Sequence, residues 1–283
     1  MGVSSGYKDI LVVADGTKRA RGRVELAASL AERFDAHLIG LYPSILGDAR
    51  SQSFYDVPLL DPVYRDFTQR VQEETASAQA QFEEIAGRRC PSREWREARG
   101  NPSQIAGLHG RYVDLIVLGQ LDPDEVSAPL SRPLPEEVAL EAGRPVLVIP
   151  YAGNFPEVGG DALVAWDGSR SATRAVNDAM PLLAAARSVT VLTIDRKHPT
   201  DHGAVSACDI AQHLARHGVK AQVETLVAVT TGIGEMLLSR AADLSADLLV
   251  MGAYGHSRVR ELILGGVTRT IIESMTLPVL MAH

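Results

Sequence analysis

The chain contains an internal repeat, and this repeat limits the folds that are open to it. Residues 114–119 read Asp-Leu-Ile-Val-Leu-Gly and residues 247–252 read Asp-Leu-Leu-Val-Met-Gly. A Pro-Val-Leu tripeptide follows each motif after the same interval, which is 26 positions from the final glycine to the proline. Because the spacing is equal in both halves, we predict that one domain has been duplicated.

Each half of the chain alternates short apolar runs with helical patterns. The runs at 9–14 and 161–165 open the two halves, and helical spacing of apolar residues follows each of them. Alternating strands and helices predict a parallel sheet with helices on both faces. We therefore predict an α/β fold with two tandem domains, residues 1–152 and 160–283, joined by a Gly- and Pro-containing linker near 151–160.

Three further segments carry predictions about secondary structure. The apolar spacing predicts a long polar helix over 65–88 and a single helix over 171–185. The segment 43–63 is rich in Pro, Asp and Ser. We predict that this segment is a long loop, and loops of this length are usually functional or mobile.

The segment that follows 247–252 has the pattern of an anion-binding site. Glycines follow an apolar run, and further glycines precede a helical pattern that begins with a small hydrophobic residue and a threonine. Glycines let the backbone approach a phosphate, and the first N–H groups of a helix point toward it. The predicted binding residues of this segment are Gly252, Gly255, Gly265, Gly266, Val267 and Thr268.

Other interpretations of this segment stay open at the level of residue chemistry. Two glycines after a strand also suit a plain turn that binds nothing. The pattern is neither a P-loop, since no Gly-Lys-Ser/Thr follows, nor the Gly-x-Gly-x-x-Gly dinucleotide motif. Thr270 and Glu273 have capping-box spacing, which predicts the start of the last helix near them.

The glycine spacing resembles the ATP-binding signature of the universal stress protein family. The matching pattern is Gly252-x2-Gly255-x9-Gly265, then a small residue, then Val267-Thr268. Family members usually carry Ser or Thr after the third glycine, where this chain has Gly266. One hydroxyl contact to phosphate is therefore missing.

This resemblance covers nearly the whole chain and implies its architecture. Each half is expected to be a Rossmann-like domain of the adenine nucleotide alpha-hydrolase-like type, with a five-stranded parallel sheet flanked by helices. Universal stress domains pair through their last strands, and in a tandem chain this pairing can occur internally. Association of two chains into a homodimer stays open.

The resemblance also implies a ligand and further site residues. ATP is the implied ligand, with Mg²⁺ as its companion ion. Asp167 is implied to face the adenine and ribose, and Thr193 to contact adenine through its backbone. Asp167 also suits the cap of the following helix, with Gly168-Ser169 as the turn. Trp166 suits three roles: stacking on adenine, blocking the pocket, or packing in the core.

The first half lacks the residues of this signature. When the halves are aligned on their common spacing, Gly265 corresponds to Arg132, Gly266 to Pro133 and Thr268 to Pro135. The whole segment 120–137 contains four prolines and five acidic residues. Prolines remove N–H donors and carboxylates repel phosphate. We therefore predict that the first half does not bind a nucleotide in the family manner.

Composition and charge exclude several functional classes. The formal net charge is −7 and the pI is about 5.6, which disfavours a nucleic-acid binder. The chain has two cysteines, too few for a disulfide framework. It has no run of 18 apolar residues of the kind that would suggest a membrane span. The histidines and acids have no metal-ligand spacing. We expect a cytoplasmic protein without a bound structural metal.

The sequence contains no nucleophile, base and acid constellation, so no catalytic residue is predicted. The leading hypothesis is a stress-response regulator that binds ATP in its second half with little or no catalysis. The second hypothesis is a stress-induced protein-interaction module that uses no nucleotide, and its protein partners are unknown. A slow ATPase is the third.

Overall fold

The structure is a computed structural model of the whole chain. It describes the residues in the ranges 6–15, 17, 19–44, 61–123, 133–196, 207–228, 232–254 and 266–283. Within these ranges, no helix is long and apolar enough to cross a membrane.

Strands and helices alternate along both halves, as the apolar pattern predicts. The strands are β1 (Asp9–Val13), β2 (His37–Ser44), β3 (Arg93–Arg99), β4 (Leu115–Gly119), β5 (Val146–Ile149), β6 (Asp161–Ala165), β7 (Ser188–Arg196), β8 (Ala221–Ala228), β9 (Leu248–Gly252) and β10 (Val279–Ala282). The helices are α1 (Ala20–Phe34), α2 (Asp61–Arg89), α3 (Pro102–Gly110), α4 (Pro135–Glu141), α5 (Arg170–Asp178), α6 (Met180–Ala184), α7 (Ala207–Arg216), α8 (Ile233–Asp243) and α9 (Gly266–Ser274).

The strands form one continuous ten-stranded sheet in the order β3-β2-β1-β4-β5-β10-β9-β6-β7-β8. Within each half all five strands are parallel, as predicted. The two halves meet where β5 and β10 pair antiparallel, with Leu280 opposite Leu147. The implied pairing of the last strands therefore occurs inside one chain.

The core lies on both faces of this sheet because the central strands are buried on both sides. Along β1, Ile10 and Val12 join the cluster on one face, while Leu11 and Val13 join the cluster on the other. The first cluster packs beneath α1, α2 and α5–α7, and the second beneath α3, α4, α8 and α9. Both clusters include residues of β5 and β10, so neither core stops at the boundary between the halves.

The predicted single helix over 171–185 is wrong, because this segment forms two helices. α5 ends at Asp178 and α6 begins at Met180, with Pro181 in the first turn of α6. Proline has no N–H to donate back into a preceding turn, and its ring clashes with the carbonyl four residues earlier. The helix is therefore interrupted at Ala179.

The ends of several elements also differ from the sequence prediction. α2 begins at Asp61, four residues before the predicted start, and β2 runs to Ser44. Most of the predicted loop 43–63 therefore lies outside the described residues. In the first half, α4 begins at Pro135, inside the proline-rich segment 120–137.

The predicted capping box at the start of the last helix is wrong. α9 begins at Gly266, so Thr270 already lies one turn inside it. The Thr270 hydroxyl donates to the carbonyl of Gly266 at 2.9 Å, and Glu273 accepts from Arg269 Nε at 2.7 Å. A capping hydroxyl must accept from a free N–H at the helix start, and Thr270 makes the opposite type of bond.

Gln120 links the two halves through a buried hydrogen-bond network. Its Nε2 donates to the carbonyl of Ile272 at 2.7 Å, near the end of α9. Its Oε1 accepts from the backbone N–H of Tyr151 at 3.2 Å. The last carbonyls of a helix have no partner within the helix. Gln120, which is only 8% exposed, supplies a hydrogen-bond donor to one of these carbonyls from the other half of the chain.

We predict that Gln120→Ala lowers the free energy of unfolding by about 1–3 kcal/mol, because it removes two hydrogen bonds to part-buried backbone groups, each of which contributes about 0.5–1.5 kcal/mol. The measurement is urea denaturation followed by circular dichroism. Gln104→Ala removes an exposed glutamine side chain from the same half and is the matched control. Equal stability of the two variants would contradict the role assigned to Gln120.

Candidate functional site

The order of the strands gives each half a point where its connections reverse direction, and a crevice is expected there. In the second half the chain runs from β6 to β7 and β8 on one side, and then to β9 on the other side of β6. Parallel sheets bind ligands beyond the carboxyl ends of strands at such a reversal. The residues that follow β6 and β9 are therefore the candidate site, and they include Asp167 and Gly252.

Asp167 shapes the turn between β6 and α5. Its Oδ1 accepts from the backbone N–H of Ser169 at 2.9 Å, across Gly168, which has a φ of 70°. The cap of α5 is Ser169, whose hydroxyl accepts from the N–H of Ala172 at 3.1 Å. The side chain of Asp167 is exposed to solvent beside this turn. The capping alternative for Asp167 is therefore replaced by a turn-forming role.

Gly252 brings the end of β9 against the start of α5. A Cβ at this position would lie 2.5 Å from the backbone nitrogen of Ala172 and 2.7 Å from the Ser171 hydroxyl. No real side chain tolerates such contacts. The absence of a side chain at Gly252 is thus required by packing, and this packing joins the Asp167 turn to the glycine loop.

The first turn of α9 contains Gly266, Val267 and Thr268, the last three predicted residues of the loop. Val267 packs against the core, and Thr268 is buried with its Oγ1 3.4 Å from the backbone nitrogen of Tyr254. The first turn carries no acidic residue. Its leading N–H groups have no partners within the helix. Gly255 and Gly265 lie outside the described residues.

Thr193 lies near the end of β7, and its side chain is directed toward β8. Its hydroxyl bonds to the Thr225 hydroxyl at 3.0 Å and to the carbonyl of Glu224 at 3.3 Å. The structure thus brings the Asp167 turn, Gly252 and Thr268 together through direct neighbours. The hydroxyl of Thr193 is bonded to β8, so only its backbone could contribute to the candidate site.

Trp166 is a core-lining residue at the end of β6. Its ring is partly buried and packs against the cluster beneath α5–α7. Its backbone N–H donates to the carbonyl of Leu192 at 2.9 Å. The indole Nε1 is buried and has no hydrogen-bond partner among the described residues. Of the three roles weighed for Trp166, packing in the core is the one that the structure displays.

The corresponding turn of the first half is closed by a buried ion pair. Asp15, the counterpart of Asp167, accepts from the backbone and hydroxyl of Thr17. Its second oxygen lies 2.7 Å from Arg23 Nη2, and the side chains of Arg23 and Asp15 are only 4% and 8% exposed. Arg23 Nε also donates to the carbonyl of Val13 at 2.8 Å. The guanidinium is therefore fixed from two sides.

Arg23 fills the space that a ligand would need in the first half. Its guanidinium lies directly over Gly119, where an added Cβ would collide with it. The pocket that remains beside Asp15 has a volume of about 10 Å³, which is enough for a single water molecule. The spacing that pairs Asp15 with Asp167 pairs Arg23 with Ala175, so the second half has a methyl group there. Sequence reasoning missed Arg23, although this alignment contains the signal.

The helix that precedes the last strand also differs between the halves. α4 begins with Pro135, Glu136 and Glu137, whereas α9 begins with Gly266, Val267 and Thr268. Proline removes one donor, and two carboxylates in the first turn oppose a bound anion. These contacts support the expectation that the first half does not hold a phosphate.

Tyr254 is a second residue that sequence reasoning missed. It follows β9 with a φ of 60°, a left-handed conformation that is unusual for a bulky side chain. Burial, together with the carboxylates of Glu136 and Glu137, raises the pKa of Tyr254 well above its usual value. Neither its hydroxyl nor Glu136 Oε2 has a hydrogen-bond partner within the described ranges. Tyr254 of the second half therefore lies within electrostatic range of α4 in the first half.

No metal site is evident in the part of the chain that the structure describes. No group of three or more His, Cys, Asp or Glu side chains there is arranged to hold a metal ion.

Solved structures with the same fold cover nearly the whole chain. A universal stress protein from Archaeoglobus fulgidus superposes with a TM-score of 0.69 at 15% identity, over 96% of this chain and 94% of that one. A protein of unknown function from Pseudomonas aeruginosa superposes with a TM-score of 0.53 at 17% identity, over 97% and 92%. At these identities the likeness concerns the fold alone.

A family model matches the second half of the chain, which contains the candidate site. The model of the universal stress protein family matches residues 161–283. A universal stress protein from Synechocystis sp. is 30% identical over 119 residues, which is 42% of this chain and 40% of that protein's length. The chain thus matches less than half of this relative. The second half of the chain, residues 161–283, thus matches the universal stress protein family.

Proposed function

We propose that this protein is a cytoplasmic stress-response regulator that binds ATP or a related adenine nucleotide in its second half, without substantial catalysis. We further propose that residues 1–152 and 160–283 are its two domains. The observation that carries the proposal is the asymmetry of the two crevices. Arg23 fills the first, whereas the second has Ala175 at the matching position and an exposed Asp167.

The start of α9 suits the phosphates of a nucleotide. Its leading N–H groups are unsatisfied within the helix, and no carboxylate lies in the first turn. The hydroxyl of Thr268 adds a polar group at the same point, beside Tyr254. Gly252 lets β9 and α5 approach closely, so that the two polar turns border one crevice. Gly255 and Gly265 are proposed to complete the loop on the strength of the signature.

The adjacent ends of β6 and β7 suit the nucleoside. Asp167 presents an exposed carboxylate, which matches the hydroxyl groups of a ribose as a hydrogen-bond acceptor. Thr193 lies one strand further on and would contribute its backbone. Mg²⁺ would be held mainly by the phosphates. A bound nucleotide would influence the first half through Tyr254, whose pKa is raised in part by the carboxylates of Glu136 and Glu137.

A nucleotide-independent interaction module is the second candidate, and Gly266 favours it. A Cβ at Gly266 would meet no atom within 4 Å. Packing therefore does not require glycine, yet the hydroxyl that family members usually carry there is missing. Under this alternative the crevice is a structural remnant and the protein acts through its surface.

We predict that Thr268→Val weakens ATP binding about tenfold, or about 1.4 kcal/mol, because it removes one polar contact and keeps the shape of the side chain. Isothermal titration calorimetry on the stripped full-length protein measures this change. Thr173→Val, on the exposed face of α5, is the matched control. Unchanged affinity in both variants would remove Thr268 from the site.

Replacing each strand-end aspartate by asparagine should affect a different property, stability for Asp15 and ATP affinity for Asp167. Asp15→Asn leaves Arg23 buried without its counter-charge, and we expect a loss of about 3–5 kcal/mol in the free energy of unfolding. ATP affinity should be unchanged in the part of this population that is folded. Asp167→Asn should reduce ATP affinity and change stability by less than about 0.5 kcal/mol, as at other exposed positions.

Urea denaturation and calorimetry on both variants measure these effects. If Asp15→Asn reduced ATP affinity while Asp167→Asn did not, the nucleotide would belong to the first half and the proposal would fail. If the wild-type chain bound no adenine nucleotide at millimolar concentration, the interaction module would replace it.

A further inference from the structure

β8 is an edge strand of the ten-stranded sheet. It pairs with β7 along all eight of its residues, and no described strand pairs with its other side. On an unpaired edge, alternate residues direct their N–H and C=O groups outward, where they can pair with another chain. Proteins recognise extended peptides in this way, by adding them to a sheet as a further strand.

A groove runs between this edge and α8. It has a volume of about 720 Å³, which lies in the range of ligand-binding clefts. Leu226 of β8 and Met236 of α8 provide apolar surface in the groove. An extended segment beside β8 would direct every second side chain into this groove, because side chains alternate along a strand.

The groove carries an excess of negative charge. Glu224 lines it from β8, and Glu235 and Asp243 line it from α8. Among the described residues of the lining, the one positive side chain is Arg240, which bonds to both oxygens of Glu224 at 2.7 Å and lies 3.6 Å from an oxygen of Asp243. Three carboxylates against one guanidinium leave a net charge of −2 at this place. Basic side chains are the complement of such a lining.

The opposite face of β8 is apolar and exposed. Val223 and Val227 are 38% and 54% exposed, and they point away from the groove side that holds Glu224 and Leu226. A neighbouring strand would cover them with the side chains that do not enter the groove. β-branched side chains pack well in such cross-strand pairs.

We propose that the β8 edge and the β8–α8 groove bind an extended segment of a partner protein in which basic residues alternate with β-branched apolar residues. The basic side chains enter the groove toward Glu235 and Asp243, and the apolar ones cover Val223 and Val227. The segment's main chain continues the sheet. This proposal is independent of nucleotide binding.

A second copy of this chain is a poorer occupant of the same edge. Two β8 strands placed side by side would bring the carboxylates of two acidic grooves toward each other. Like charges in facing positions destabilise strand pairs. The charge of the groove therefore selects a basic partner over self-association.

The test uses the full-length protein and a fluorescently labelled eight-residue peptide of alternating Val and Lys, with fluorescence anisotropy as the measurement. We expect saturable binding that weakens at high salt, and no binding of the matching Val and Glu peptide. Glu235→Lys with Asp243→Lys should weaken binding at least tenfold. Glu25→Lys with Glu32→Lys changes the net charge equally on exposed positions of α1 and should leave binding nearly unchanged.

A peptide that is N-methylated at every residue tests the strand pairing itself. It keeps its charges and has no backbone N–H group on either edge, so its binding should be lost. The proposal is overturned if the methylated peptide binds equally well, or if both pairs of variants weaken binding to the same extent. Concentration-dependent oligomers that the Val and Lys peptide fails to dissociate would assign the edge to a second copy instead.

Discussion

The antiparallel pairing of β5 with β10 is the interaction on which the rest of the structure depends. It joins two five-stranded parallel sheets into one, with Leu147 opposite Leu280 and both side chains fully buried. Each half alone would expose this strand edge and the apolar surface on either side of it. Because both cores include residues of β5 and β10, the hydrophobic burial of one half supports the other. The Gln120 side chain adds a polar link at the same boundary.

The two halves have equivalent strand orders but opposite chemistry at the ends of their strands. In the first, a guanidinium and a carboxylate neutralise each other inside the protein, and the adjacent helix begins with proline and two glutamates. In the second, the matching helix begins with glycine and threonine, and the strand-end carboxylate faces solvent. The first half thus has a neutralised, closed strand end, whereas the second has exposed polar groups that suit the proposed nucleotide. Burial and the nearby carboxylates of Glu136 and Glu137 in the first half raise the pKa of Tyr254, which follows β9.

The sequence predicted the architecture well because the central strands are continuous apolar runs whose spacing repeats. Local chemistry was less predictable. The break at Ala179 follows from Pro181, a local rule that the apolar pattern of the whole segment obscured. The capping box at Thr270 had suitable spacing, but α9 begins four residues earlier, and spacing alone does not locate a helix start. Arg23 was missed because its role depends on Gly119, a residue distant in sequence that only the fold brings beside it.

The central claim is that one crevice of the two binds an adenine nucleotide. Its most direct test is to denature the freshly purified protein, identify the released small molecules by mass spectrometry, and count them per chain. The account predicts an adenine nucleotide at close to one per chain, or a single titratable site once the protein has been stripped. Two nucleotides per chain would contradict the asymmetry of the halves, and an empty chain that ignores millimolar ATP would contradict nucleotide binding itself.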